Sequence, residues 1–149
     1  MALSHCATID VGVPADIAFA FLADPARLGE WSLGCMDTRP AGVPGVFSGR
    51  SLFDGGRGCV AIDAHPGLGL IDYRVGTADA LVHRISARVI PGAAMDLGAA
   101  RCLVSLIAWR PATMAETRWR RLCATHEAEI FLIKAQIETR QAGGTTPPA

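Results

Sequence analysis

The chain has 149 residues, half of them from the apolar set AVILMFWYC and only 19% charged, with a mean hydropathy of +0.30. That is enough for one compact domain with a real core, and it excludes an intrinsically disordered chain. Fourteen basic residues balance fourteen acidic ones, so no overall positive field exists to hold a nucleic acid or an anionic membrane, and only a local patch is left open.

The opening residues, MALSHCATIDV, carry neither a basic nor an apolar leader, and no apolar run approaches the roughly 20 residues of a bilayer span. A cytoplasmic chain without a membrane span is expected. Five dispersed cysteines, Cys6, Cys35, Cys59, Cys102 and Cys123, show no CxxC spacing and read as reduced thiols rather than as disulfides or a zinc clip.

From His5 to Val13 apolar residues alternate with polar ones, which predicts a first strand with one buried face. Pro14 and Asp16 then open a short helix that runs to Asp24, and Asp24-Pro25 opens a second, carrying Leu28 toward Trp31 before Gly34. Five further strands follow in the segments VFSGRSLF, CVAIDAH, LGLIDYRV, ALVHRISARVI and CLVSLIAW, separated by Gly- and Pro-rich turns. The longest loops fall at Thr38 to Gly45 and Pro91 to Ala100. Thr113 and Glu116 have the spacing of a capping box, predicting a long helix from about Met114 to Arg140. The expectation is a single domain over residues 1–141 and a disordered tail over 142–149.

On the long helix, Trp119, Leu122, Cys123, His126, Ile130, Ile133 and Ile137 share one arc, with His126 near its middle and Glu129 just beside it. A buried imidazole needs a partner, and desolvation would keep it neutral, able to act as a base. The bland alternative is a core histidine bonded to a backbone carbonyl. In the strand ALVHRISARV, alternation puts Leu81, His83 and Ile85 on one face and the arginines on the other, so His83 is expected to point inward. The same rule sends Tyr73 inward. His126, His83 and Tyr73 are thereby the candidate catalytic groups. His65 and His5 read as solvated, and the histidine spacing supports no metal site. GxGxxG, GxxxxGK and GxSxG are all absent, so neither a nucleotide cofactor nor a serine nucleophile is implied. Arg118, Arg120 and Arg121 read as a solvated helix face rather than an anion site. The last strand is apolar on both faces, with Leu103, Ile107 and Trp109 outward, which points to a covered face such as a homodimer contact.

The run TIDVGVPADIAFAFLADPARLGEW, the terminal strand CLVSLIAWRP and the helix WRRLCATHEAEIFLIKAQIE resemble the SRPBCC superfamily: START-like, birch-pollen-allergen-like and polyketide cyclase-like proteins. The resemblance extends over about residues 3 to 140. It implies an α+β helix-grip fold: a curved six-stranded antiparallel sheet, two short helices and one long C-terminal helix, enclosing a cavity for a small hydrophobic or aromatic ligand. Trp31 would stand near the mouth, and Ile85, Cys123 and Ile130, with Tyr73, His83 and His126, would line the walls. Two uses stand about equal: a cofactor-independent cyclase or lyase with histidine acid/base chemistry, and a non-catalytic carrier or sensor. An interaction module built on the last strand is the third.

Overall fold

A computed structural model describes residues 1–144. Seven strands, β1 (Ser4–Val11), β2 (Met36–Pro40), β3 (Phe47–Arg50), β4 (Arg57–His65), β5 (Leu70–Thr77), β6 (Ala80–Pro91) and β7 (Cys102–Trp109), form one sheet in the order β1-β7-β6-β5-β4-β3-β2. Every pairing is antiparallel. Between β1 and β2 lie helix α1 (Ala15–Ala23) and a 3-10 helix over Pro25–Glu30, and the chain closes with helix α2 (Glu116–Gly143). This is the α+β helix-grip architecture, with one strand more than expected.

The extra strand is β2, which reads as loop because Asp37 sits at φ 53° and breaks its register with β3 between Met36 and Arg39. In the other long loop, Gly92–Met95 winds into a 3-10 turn. The start of α2 also differs from expectation. No side chain caps it; Glu116 bonds Arg110 at 2.6 Å and Arg120 at 3.0 Å instead of closing a capping box with Thr113. A charged guanidinium outcompetes a backbone amide for that carboxylate. At its other end α2 runs past Arg140 to Gly143; the remainder of the predicted tail, 145–149, lies outside the described residues.

Asp24 accepts from the Ala26 N–H at 2.9 Å, capping the 3-10 helix as its sequence predicts. The core gathers Leu22, Ile71, Leu106, Ile133 and Ile137, and α2 packs chiefly over β1 and β7. Its C-terminal half is pinned there. Lys134 Nζ donates to the Asp10 carbonyl at 2.7 Å, Glu138 accepts from the Gly12 N–H at 2.7 Å, and Arg140 pairs with Glu30. Tight packing there leaves the N-terminal half of the helix to span open space. Among the described residues no helix is long and apolar enough to cross a membrane.

Candidate functional site

A cavity of about 650 Å³ lies between the N-terminal half of α2 and the strands β4 to β6. Its α2 wall consists of residues between Arg118 and Glu129 and no later ones. Ile130, Ile133 and Ile137 belong instead to the solid core. At 100° per residue the cavity-facing and core-facing arcs of α2 are roughly a quarter-turn apart, and His126 lies where they meet.

The inner end holds the chemistry. His126 is 1% exposed, its Nδ1 has no hydrogen-bond partner among the described residues, and its Nε2 stands 3.9 Å from Glu129 Oε2, too far to bond. Burial, reinforced by the nearby His5, pushes the imidazole down to about 4, so it is neutral at pH 7. Glu129 is 4% exposed. Its Oε1 accepts the Leu33 N–H at 2.7 Å with the Gly34 N–H beside it, yet burial outweighs these donors and raises the carboxyl to about 7. The two groups therefore sit as a neutral base and a half-protonated acid. Trp31 Nε1 is buried and unpartnered too, its ring 5.9 Å from Tyr73 in an edge-on arrangement.

The predicted residues divide. His126, Tyr73, Trp31 and Ile85 line the cavity. Tyr73 points inward, but its hydroxyl donates to the Leu22 carbonyl at 2.8 Å, and burial raises its ionisation far above the usual phenol range. It is a wall, already bonded. Trp31 is buried rather than placed at the mouth. Ile130 is in the core one residue beyond the cavity wall, and Cys123 is half-buried on the helix flank outside the lining.

His83 is on the opposite face of the sheet. The β5–β6 register jumps between Tyr73↔Ile85 and Arg74↔His83, so Arg84 is a bulged extra residue. A one-residue slip reverses the alternation on its N-terminal side: Val82 and Arg84 line the cavity while His83 turns out. There it is 47% exposed, 2.9 Å from Ser86 Oγ and 3.1 Å from Asp72 Oδ1, with its ring against Trp109. His65 lies 3.9 Å from the same aspartate. His65 is exposed as expected, with 48% of its side chain open, whereas His5 is not: its side chain is 21% exposed, with Nε2 3.8 Å from Glu127.

Two features are new relative to the sequence reading. Glu129 was visible only as a charge beside an apolar arc, the one signal available for it. Gly49, from β3, passes so close to Cys35 that a Cβ would collide with it, which packs the Cys35 segment, itself part of the cavity wall, onto the sheet.

The architecture, a curved antiparallel sheet closed over a cavity by a long C-terminal helix, is the START-like helix-grip fold. No protein-family profile and no curated protein matches the sequence. Among solved structures the chain is similar to the Zhui aromatase/cyclase from Streptomyces sp. R1128, with 18% identity, 97% of this chain and 98% of that one covered, and a TM-score of 0.69. It is similar also to the di-domain aromatase/cyclase BexL of the BE-7585A biosynthetic pathway (17% identity, 93% of this chain and 47% of that one, TM-score 0.69). A START superfamily protein from Mycobacterium smegmatis aligns at 13% identity over 93% of this chain and 99% of its own, with a TM-score of 0.65. At these identities the likeness is one of fold.

Proposed function

We propose that the chain binds a small, largely apolar or aromatic molecule in this cavity and moves protons at its polar end, in a cofactor-independent cyclisation, dehydration or addition–elimination. The observation that carries this reading is a cavity of about 650 Å³ ending on two buried titratable groups, His126 and Glu129, that form no hydrogen bond with each other. A structural core does not leave the His126 Nδ1 so placed, because an unsatisfied buried polar group costs about 1–3 kcal/mol. The aromatase/cyclase and START neighbours support the same reading through the fold.

For dehydration of a β-hydroxy ketone the parts balance. Neutral His126 takes the proton from the carbon beside the carbonyl while protonated Glu129 gives its proton to the departing hydroxyl. A C–H and a C–O bond break, a C=C bond forms and water leaves. Transfer of the proton from imidazolium to carboxylate, 3.9 Å apart, restores both groups. The acid form of Glu129 and the neutral form of His126 coexist between about pH 4 and about pH 7, so the rate should follow a bell within those limits.

The test follows absorbance of the conjugated product from aromatic β-hydroxy ketones, with binding measured separately. His126→Gln and Glu129→Gln should each lower turnover by about 10²–10⁴-fold while Kd moves little. A change confined to Kd would replace the enzyme with a carrier that uses the same two groups as ligand contacts.

A further inference from the structure

Although the chain is neutral overall, with fourteen basic and fourteen acidic residues, its cavity is not. Four arginines line it, delivered by three elements: Arg57 begins β4, Arg84 is the bulged residue of β6, and Arg118 and Arg121 lie on the first turns of α2. Among the described residues none of the four has a carboxylate within 4.0 Å, whereas eight of the other ten basic residues do; the exceptions, Arg39 and Arg88, lie away from the cavity. Unpaired cations are thus concentrated at the hollow.

The lining contains two carboxylates, and neither neutralises this set. Asp54 accepts the Gly56 N–H at 2.9 Å and feels the Arg121 charge only from beyond ion-pair distance, and Glu129 is at the buried end, held toward its neutral form. The arginines keep donors free. Arg57 bonds Ser48 Oγ at 3.2 Å, Arg84 bonds the His83 carbonyl at 2.9 Å, and Arg121 stacks over Phe53 at 5.3 Å. Each guanidinium carries five N–H groups, so none of these contacts exhausts it. The local sequence explains the placement. Trp119 is buried in the core and Arg120 turns away to Glu116, which leaves Arg118 and Arg121 facing the opening.

We propose that the natural ligand is an amphiphilic anion: an aromatic or apolar body against Trp31 and Tyr73, with a carboxylate or phosphate held at the mouth by Arg57, Arg84, Arg118 and Arg121. This rests on the reading of the cavity as a ligand site and adds the chemical class of what enters. Guanidinium groups pair with both oxyacids in a fork geometry, and a charged collar above a low-dielectric hollow concentrates anions of matching shape. The orientation follows from charge. An anionic end placed at the buried end would face the Glu129 carboxyl and lose the arginines, whereas an uncharged carbonyl or hydroxyl there meets the proton donors and acceptors of the pair.

The test titrates the full chain by calorimetry with three probes that share one bicyclic body: naphthoate, naphthyl phosphate and uncharged acetonaphthone. At low salt at least one anion should bind about tenfold or more tighter than the ketone, and the margin should shrink as salt is added. Arg118→Gln/Arg121→Gln, at exposed positions, should weaken that anion about tenfold and leave the ketone unchanged, while Arg39→Gln/Arg88→Gln should alter neither. The ranking of naphthoate against naphthyl phosphate identifies the oxyacid. Equal binding of all three probes, or equal losses in the two double variants, overturns the anionic ligand and leaves the cavity as a ligand site. Exclusion of all three, the ketone included, overturns both readings.

Discussion

The two sides of the β5–β6 hairpin meet a histidine and a carboxylate each, the inner pair from α2 and the outer pair from the hairpin itself, in opposite environments. On the inner face His126 and Glu129 are buried, 3.9 Å apart, and pushed toward their neutral forms. On the outer face His83 and Asp72 are 3.1 Å apart and open to water, with Ser86 donating to the aspartate at 2.6 Å. The outer group has the look of a catalytic serine-histidine-aspartate set, but its histidine presents the same nitrogen to both partners, so it cannot relay a proton from one to the other. Proximity of an acid and a base is thus a poor guide, whereas burial with an unspent hydrogen-bond capacity is a good one.

The largest test of this contrast exchanges tryptophans. Trp31→Ala should cost about 3 kcal/mol or more in denaturant unfolding, since the ring is buried between Leu28 and Tyr73 in the core. Trp109→Ala, on the outer face and 44% exposed, should cost about 1 kcal/mol. Comparable losses at the two sites would remove the energetic distinction between the faces.

The pH dependence of stability sharpens it next. Glu129, raised in the fold from 4.5 to about 7, stabilises most at low pH, and its contribution declines as pH rises through that interval. His126, lowered from 6.5 to about 4, acts oppositely: its contribution is lost as pH falls through the same range. Between about pH 5 and pH 6.5 the two slopes oppose each other in the parent chain. Glu129→Gln should therefore become more stable relative to the parent as pH rises across this window, and His126→Gln should become less so. Each difference amounts to just under about 2 kcal/mol across the window, measured as unfolding free energy in urea. Variants whose profiles stay parallel to the parent would show that neither group is held neutral by the fold.

Smaller effects are expected where partners are already in place. Tyr73→Phe leaves the Leu22 carbonyl without its donor and should cost about 1–2 kcal/mol of stability while leaving the proton chemistry intact. His83→Gln should change stability by less than about 1 kcal/mol, as solvated ion pairs do, and should not change turnover. A turnover loss at His83 matching that at His126 would relocate the chemistry to the outer face.

Much of this architecture was legible in the chain itself, and the exceptions have physical causes. Period-two alternation marks β1 and β5, a run apolar on both faces marks β7, and Pro14, Asp24 and the apolar stripe mark the short helices. β2 escaped because a left-handed Asp37 and the Pro40 at its end erase the alternation that a strand needs to be seen. His83 was turned the wrong way because a bulge leaves no mark on composition: Arg84 is an ordinary residue whose backbone happens to be doubled against its partner strand. Cys123 and Ile130 were assigned to the cavity because an arc on a helical wheel cannot tell a helix face that touches a sheet from one that bridges a void. That distinction depends on where α2 is pinned, which the Asp10, Gly12 and Glu30 contacts decide.

The bond from the Leu33 amide to Glu129 ties a mobile charge to the polypeptide backbone. Since that carboxyl changes ionisation near neutrality, a guest that favours one of its two forms takes up or releases a fraction of a hydrogen ion as it settles beside it. Heats of association measured in buffers of different ionisation enthalpy would then differ, which turns occupancy of the hollow into a quantity readable without any chromophore.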